Sequence, residues 1–298
     1  MKININYLSN DFMVSKLRKL LEETRKILKM YGLKPRKKLG QNFTICPKLI
    51  DKLIQYASIS RDDIVLEIGA GIGTLTIELA RRASKIIAVE IDARLVEILK
   101  FRLKDYGNVE ILHGDIIKME LPKFDKTVSN LPFNLSSPIT FKLAEKPIFQ
   151  CAVLTYQKEF AERMVAKPGT EEYGRLTVTA NFFFEVEMLD VISRRCFYPP
   201  PEVDAAIVRL KPKRMKNITE LDKFFLELVK YLFSQRNRKV ERAVATYLFK
   251  IKRANPDEYG HLLKKIPYRD LRVRDLSPSD LYCLAENLYG DLIGDREI

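Results

Sequence analysis

The chain has 298 residues, of which 46% are hydrophobic and 31% charged, a balance typical of a globular protein with a substantial apolar core. No run of about 18 apolar residues occurs and no secretory signal is recognisable, so we expect a cytoplasmic protein that does not contact a membrane. The two histidines and four scattered cysteines lack metal-ligand spacing, and no metal site is expected.

The formal net charge of +13 is unevenly distributed along the chain. Residues 1–42 contain 11 Lys and Arg against 3 Asp and Glu, and residues 213–274 contain 17 against 7. The segment between them is balanced, with 23 of each sign, and the last 24 residues are acidic. A neutral centre flanked by two basic segments predicts a small-molecule site between surfaces that bind a polyanion such as nucleic acid.

An amphipathic helix is predicted over residues 11–31, where leucines recur at helical spacing among charged residues. Strands and helices then alternate along the chain. The predicted strands are 64–69, 85–91, 109–115, 126–132 and 152–157, with helices at 73–83 and 93–106. Short apolar strands that alternate with helices indicate a doubly wound, mainly parallel sheet.

The second half of the chain adds strands and then becomes helical. Residues 174–184 fit either a helix or a strand, and strands at 186–192 and 205–210 would form a late hairpin. We therefore expect an α/β fold, a Rossmann-like domain with a seven-stranded sheet and a smaller all-helical C-terminal domain. The expected boundaries are 1–36 for a basic helical extension, 37–211 for the α/β domain and 212–298 for the helical domain.

A glycine-rich turn follows the first strand of this sheet, in the sequence EIGAGIG over residues 67–73. Such a turn lets a cofactor approach the backbone, and Glu90 at the end of the second strand can accept both ribose hydroxyls. These features alone fit a nicotinamide cofactor as well as S-adenosylmethionine. The second is favoured because Thr74 occupies the third glycine position of the dinucleotide fingerprint, and because Asp115 can bind an adenine amine.

The sequence NLPF follows the fourth strand, from Asn130 to Phe133. An adenine amine is a poor nucleophile because its lone pair is delocalised into the ring. The side-chain oxygen of Asn130 and a carbonyl beside Pro132 can accept hydrogen bonds from the two N–H groups of the adenine amine. These bonds would direct the nitrogen lone pair toward a sulfonium methyl. Phe133 offers a face on which the base can stack. The motif predicts methyl transfer to an adenine N6 without a metal or a strong general base.

Several motifs together resemble the small-subunit ribosomal RNA adenine N6,N6-dimethyltransferase family, the KsgA-like rRNA adenine dimethylases. The resemblance implies S-adenosylmethionine-dependent dimethylation of two adjacent adenosines near the 3′ end of small-subunit ribosomal RNA. It also implies a pre-ribosomal 30S-type particle as partner and a role in ribosome biogenesis, and we expect a monomer. The motifs are KKLGQNF (37–43), EIGAG (67–71), GD (114–115), NLPFNLSSP (130–138) and CFYPPPEVDAAIVRL (196–210).

The resemblance also implies the site residues. Cofactor contacts are expected at Asn42, Thr44, Gly69, Glu90, Asp115 and Asn130, catalytic roles at Asn130, Pro132, Phe133 and Phe197, and RNA contacts at Arg236, Arg238 and Lys239. Leu is usual at the position of Thr44, where we expect a backbone contact. Tyr is usual at Phe133, so stacking is retained without the contact that a hydroxyl would make. Phe197 resembles a second aromatic residue that clamps the flipped base from its other face.

Three other functions fit parts of the pattern. A large-subunit enzyme of the antibiotic-resistance type shares the fold, but the GQNF and PPPEVD sequences favour the small-subunit enzymes. A DNA adenine methyltransferase is the second alternative. It is disfavoured because the motif of those enzymes usually carries two prolines after an Asp or Asn. A non-catalytic ribosome-assembly factor on the same fold is the third alternative, although every candidate site position here is chemically competent.

Overall fold

The computed structural model describes residues 11–213, 218–251 and 256–294. The remaining parts of the predicted extension and helical domain, residues 1–10, 214–217, 252–255 and 295–298, lie outside the described residues. The chain divides into two compact units. The sheet unit comprises the chain up to Ala161 together with Glu187–Pro212, and the helical unit comprises Glu162–Val186 together with the chain from Lys213 onward.

The elements of the sheet unit largely follow the predicted order. In chain order they are α1 (Asp11–Met30), β1 (Phe43–Thr44), α2 (Pro47–Ala57), β2 (Ile64–Ile68), α3 (Thr74–Ala80), β3 (Lys85–Glu90), α4 (Ala93–Arg102), β4 (Val109–His113), β5 (Lys126–Ser129), α5 (Ser136–Glu145), β6 (Cys151–Gln157), β7 (Phe184–Ile192), β8 (Phe197–Tyr198) and β9 (Ala205–Pro212).

The central sheet has seven strands in the order β4-β3-β2-β5-β6-β9-β7, which confirms the predicted fold class. Strands β4, β3, β2, β5 and β6 are parallel, and β9 is antiparallel to β6. Strands β5 and β6 are buried along nearly their whole length, as expected for parallel strands covered on both faces. Because the carboxyl ends of parallel strands meet at one edge, the turns after β2, β3, β4 and β5 lie side by side there.

A two-residue ladder joins two distant segments of the sheet unit. Phe43 pairs with Tyr198 and Thr44 with Phe197 in antiparallel register. The Ile45 amide also donates to the Cys196 carbonyl at 2.9 Å. The ladder brings the GQNF segment against the CFYPPP segment. This ladder is not predictable from the sequence, because two-residue strands carry no periodic signal.

Helix α1 packs on the sheet unit through its apolar face. Leu28 is only 4% exposed and lies in one cluster with Phe43, Ile72, Leu95 and Ile98. The outer face of the helix is basic, because the side chains of Lys16, Arg18, Lys19, Arg25, Lys26 and Lys29 are exposed. The helix therefore covers part of the sheet unit and presents cations to solvent.

The helical unit contains the last three residues of α6 (Lys158–Met164), followed by α7 (Arg175–Phe183), α8 (Glu220–Leu232), α9 (Val240–Lys250), α10 (Pro256–Lys265) and α11 (Pro278–Gly294). The ambiguous segment 174–184 is helical as α7, and β7 starts directly after it. The units do not divide simply at residue 212, the boundary expected from the sequence. Residues 162–186 make their contacts within the helical unit. There Tyr173 donates to the Leu276 carbonyl at 2.7 Å, and Val178 shares an apolar cluster with Phe225. Within the described ranges, no helix has the length and apolar character needed to cross a membrane.

Candidate active site

A cavity of about 260 Å³ lies at the carboxyl edge of the parallel strands. Its wall includes all six residues predicted to bind the cofactor, namely Asn42, Thr44, Gly69, Glu90, Asp115 and Asn130. Four of these follow or end successive parallel strands, and the other two come with β1. The fold therefore brings the predicted cofactor residues into one site, and their roles in binding stay a prediction.

The glycine-rich turn is closely packed against two other loops of the site. Gly69 and Gly71 have φ angles of 75° and 62°, in the left-handed region that favours glycine. A Cβ atom on Gly69 would lie 3.0 Å from Cδ of Pro132, and one on Gly71 would lie 3.3 Å from the ring of Phe43. Any larger side chain at Gly69 or Gly71 would therefore strain the backbone and crowd Pro132 or Phe43 in the cavity wall.

Glu90 ends β3 with its carboxylate held by backbone amides. Its Oε2 accepts from Gly71 N–H at 2.8 Å, and its Oε1 accepts from Ile91 N–H at 3.0 Å and Asp92 N–H at 2.9 Å. Burial raises the pKa of Glu90, while the three amide donors oppose that increase. A carboxylate oxygen accepts two hydrogen bonds, so Oε2 can still accept a ligand hydroxyl.

Asp115 lies in the turn after β4 and is half-buried in the cavity wall. Its Oδ1 accepts from the Ile117 amide at 3.0 Å, which fixes the orientation of the carboxylate. Its Oδ2 has no hydrogen bond among the described residues. The side chain therefore offers an acceptor of the kind that an adenine amine needs.

Asn130, directly after β5, has its side-chain amide held at both ends. Nδ2 donates to the backbone carbonyl of Asn42 at 2.9 Å, and Oδ1 accepts from the Thr155 hydroxyl at 2.7 Å. The next proline is also engaged, because the Pro132 carbonyl accepts from the Leu135 amide at 2.9 Å. Each of these two acceptor oxygens has a second lone pair that remains for a substrate N–H.

The two candidate base-stacking residues are neighbours, but they do not form the expected clamp. The ring centroids of Phe133 and Phe197 are 6.3 Å apart, and the ring planes are inclined by 71°. Phe197 is only 2% exposed and belongs to the core of the sheet unit. A base stacked between two faces needs parallel rings, so the two-sided clamp is wrong for this arrangement. Phe133 is half-buried and remains the accessible stacking surface.

The predicted RNA-contacting turn lies in the helical unit, and its three basic residues differ in their surroundings. Arg236 donates to the carbonyls of Glu171 at 2.9 Å and Thr170 at 3.0 Å, so its guanidinium holds a neighbouring loop. Arg238 and Lys239 are exposed. They line a surface groove together with Asn237, Arg242, Asp270 and Arg272. Arg242 and Arg272 were not predicted from the sequence, because they reach the groove from α9 and from a later loop.

The sequence profile of the ribosomal RNA adenine dimethylases matches residues 32–271. The chain belongs to this family. A probable ribosomal RNA small subunit methyltransferase A of Thermococcus sibiricus is 41% identical over 271 residues, which cover 90% of this chain and 97% of that protein. The protein of the same description from Methanopyrus kandleri is 47% identical over 216 residues, covering 72% and 77%.

Solved structures show the same relationship. A dimethyladenosine transferase from Plasmodium falciparum superposes with a TM-score of 0.72 at 34% identity, covering 85% of this chain and 98% of that chain. The 23S rRNA methyltransferase ErmE superposes with a TM-score of 0.62 at 29% identity, covering 83% and 100%. The predicted family, the enzyme class and S-adenosylmethionine as methyl donor are confirmed.

The cavity of this dimethylase offers groups that fit the polar parts of S-adenosylmethionine. Glu67, the first residue of EIGAG, is 2% exposed and lines the cavity. Its Oε2 is buried without a hydrogen-bond partner among the described residues, and burial raises its pKa to about 8. An ammonium group would provide the missing partner, Glu90 can accept a ribose hydroxyl, and Asp115 an adenine amine. The glycines of this motif are recognisable from the sequence, whereas the role of Glu67 depends on its burial in the fold.

Proposed function

We propose that this chain dimethylates the N6 amines of two adjacent adenosines near the 3′ end of small-subunit ribosomal RNA. It would act in the cytoplasm, as a monomer, on a pre-ribosomal 30S-type particle, and so contribute to ribosome biogenesis. The observation that carries the proposal is the Asn130 amide, held by two hydrogen bonds at the wall of the cofactor cavity. The similarity to proteins described as small subunit methyltransferases supports the choice of RNA.

The cofactor is held by the residues at the strand ends in this proposal. S-adenosylmethionine, when bound, supplies a methyl group activated by its sulfonium centre. Glu90 binds the ribose, Asp115 binds the adenine amine, and Glu67 faces the ammonium group. The glycine turn at Gly69 and Gly71 lines the cavity and packs its backbone directly against Pro132 and Phe43. Asn42 and Thr44 complete the wall.

The target adenine is activated by hydrogen-bond acceptors in this proposal. Oδ1 of Asn130 accepts one N6–H bond, and the carbonyl of Pro132 accepts the other. Hydrogen bonds to both N6–H groups draw the nitrogen away from conjugation with the ring and expose its lone pair. Taking the base out of its RNA helix costs a few kcal/mol. Stacking of the base on the ring of Phe133 offsets part of that cost. Water removes the proton after transfer, so the site needs no strong base.

RNA binding is assigned to exposed cations of both units. We assign phosphate contacts to Arg238, Lys239 and Arg242, which line the groove of the helical unit, and to the outer face of α1. Arg236, a predicted RNA contact, is kept only as a residue that supports this turn, because it holds carbonyls of its own unit. The sheet unit carries the chemistry, and the helical unit contributes RNA contacts.

The test is to incubate the full chain and labelled cofactor with small-subunit particles and to map the methylated adenosines by mass spectrometry. We expect two adjacent dimethyladenosines near the 3′ end. Asn130→Ala should abolish most of the single-turnover rate, and Phe133→Ala should slow it about tenfold or more. Phe133→Tyr should be nearly neutral. The exposed Phe101 is the matched control, since Phe101→Ala should leave the rate unchanged.

A large-subunit activity is the second candidate, because ErmE, described as a 23S rRNA methyltransferase, has the same fold over its whole chain. The same mapping experiment with large-subunit RNA separates the two. Methylation confined to large-subunit RNA would reject the small-subunit assignment. Absence of methylation in both RNAs, with the cofactor bound, would favour the non-catalytic assembly factor.

A further inference from the structure

We infer that Thr155 is a positioning residue for the catalytic amide: its hydroxyl holds Oδ1 of Asn130 in the orientation that accepts the adenine N–H. Thr155 belongs to β6, the strand next to the one that ends before Asn130. It is fully buried and pairs with Ile207 of β9. The inference rests on the proposed role of Asn130.

The orientation of the Asn130 amide follows from its two partners. The backbone carbonyl of Asn42 can only accept, so the amide nitrogen must face it, 2.9 Å away. The amide oxygen then faces the Thr155 hydroxyl, which donates at 2.7 Å. Reversing the amide would place its oxygen against the carbonyl of Asn42. The two contacts together therefore select a single orientation.

The carbonyl of Asn42 alone would hold the planar amide only at its nitrogen end and leave the whole amide free to rock about the side-chain bond. The Thr155 hydroxyl removes that freedom, because it belongs to a buried strand with neighbours on both sides. One lone pair of Oδ1 is used by this contact, and the other remains to accept a substrate N–H. An acceptor already in place needs no reorganisation when the adenine arrives.

The position also connects two predicted motifs. Asn42 belongs to GQNF and Asn130 to NLPF, and Nδ2 of Asn130 joins them. Thr155 lies outside both motifs and outside the set of residues that line the cavity. Thr155 was not predicted from the sequence, because a threonine in an apolar strand carries no motif signal. Only the packing of β6 beside β5 brings its hydroxyl to the amide.

The test replaces Thr155 by Val, which keeps the shape and removes the donor, and by Ser, which keeps the donor. Single-turnover methylation is measured with cofactor and RNA both saturating. We expect Thr155→Val to slow the reaction about tenfold and Thr155→Ser to restore most of the rate. Thr127→Val is the matched control, because Thr127 is equally buried on β5 and its hydroxyl has no partner among the described residues.

A double-mutant cycle separates positioning from packing. In an Asn130→Ala background, Thr155→Val should cause no further loss, since the amide that it positions is gone. A wild-type rate for Thr155→Val, or a loss that Thr155→Ser does not restore, would overturn the inference. A full additional loss in the Asn130→Ala background would do the same. If Asn130→Ala itself keeps the wild-type rate, the proposed function fails independently of Thr155.

Discussion

Glu90 is expected to contribute to cofactor affinity through its free lone pair, although its carboxylate already accepts three amide donors. Glu90→Gln should weaken S-adenosylmethionine binding by about 1.5–3 kcal/mol, the range for a hydrogen bond to a charged group. Isothermal calorimetry measures the change. The control is Glu97→Gln on α4, where Glu97 is exposed and pairs with Lys100. Equal affinities for the two variants would contradict the assignment.

Glu67 should make stability depend on pH, because burial raises its pKa from 4.5 to about 8. As pH rises from about 5 to 8, the unfolded chain loses this proton while the folded chain keeps it, so folding becomes less favourable. Glu67→Gln removes that penalty. Urea unfolding without cofactor measures the free energy of unfolding of both proteins. Between pH 5 and pH 8, the value for the variant should rise relative to that of the wild type by at least about 1.4 kcal/mol, the equivalent of one pKa unit. A constant difference across this range would show that Glu67 is not buried as a neutral acid.

At the scale of elements, α1 is expected to be part of the folded sheet unit, because Leu28 is buried among Phe43, Ile72, Leu95 and Ile98. Leu28→Ala should destabilise the protein by about 2–5 kcal/mol, the usual cost of deleting a buried leucine side chain. Met30→Ala, at a position that is 65% exposed on the same helix, should change the free energy of unfolding by about 0.5 kcal/mol or less. Denaturant unfolding of both variants checks this, and similar values would mean that α1 is only loosely attached.

The basic groove of the helical unit should contact RNA phosphates. Replacing Arg238, Lys239 and Arg242 together by Gln should reduce the slope of log affinity against log salt by about 0.7–0.9 for each phosphate that is no longer neutralised. The control removes the same charge elsewhere in the unit, with Lys223, Lys230 and Lys250 changed to Gln at exposed positions. Filter binding at several salt concentrations measures both. Equal slopes for the two triple variants would show that general charge, and not this groove, determines binding.

For the whole molecule, the charge distribution predicts two different responses to salt. Residues 43–212, which contain most of the residues that line the cofactor cavity, include 23 basic and 23 acidic residues, whereas the segments before and after are basic. RNA affinity should therefore fall steeply between about 50 and 200 mM salt. Cofactor affinity should change by about twofold or less, because its contacts are local and partly buried. A parallel decline of both affinities would contradict this division of charge.

Much of the fold could be predicted from the sequence, because alternating apolar strands and helices are encoded locally. The strand ends also predicted where Gly69, Glu90, Asp115 and Asn130 would meet, and they line one cavity. Residues 162–186 were harder, since their place in the helical unit depends on Tyr173 reaching Leu276. The expected clamp of Phe133 and Phe197 failed because ring orientation depends on packing that no motif specifies.

Local sequence is sufficient to predict the order of strands and helices along the chain, the glycine turn and the NLPF motif, and with them the family and its chemistry. These are properties of short segments, in which spacing and residue type are sufficient. Tertiary structure decided that Arg236 holds a loop of its own unit, that Glu67 lacks a partner among the described residues, and that the Thr155 hydroxyl holds Asn130. Each of these depends on which distant side chains and carbonyls become neighbours. Such contacts exist only once the strands have paired and the helices have packed.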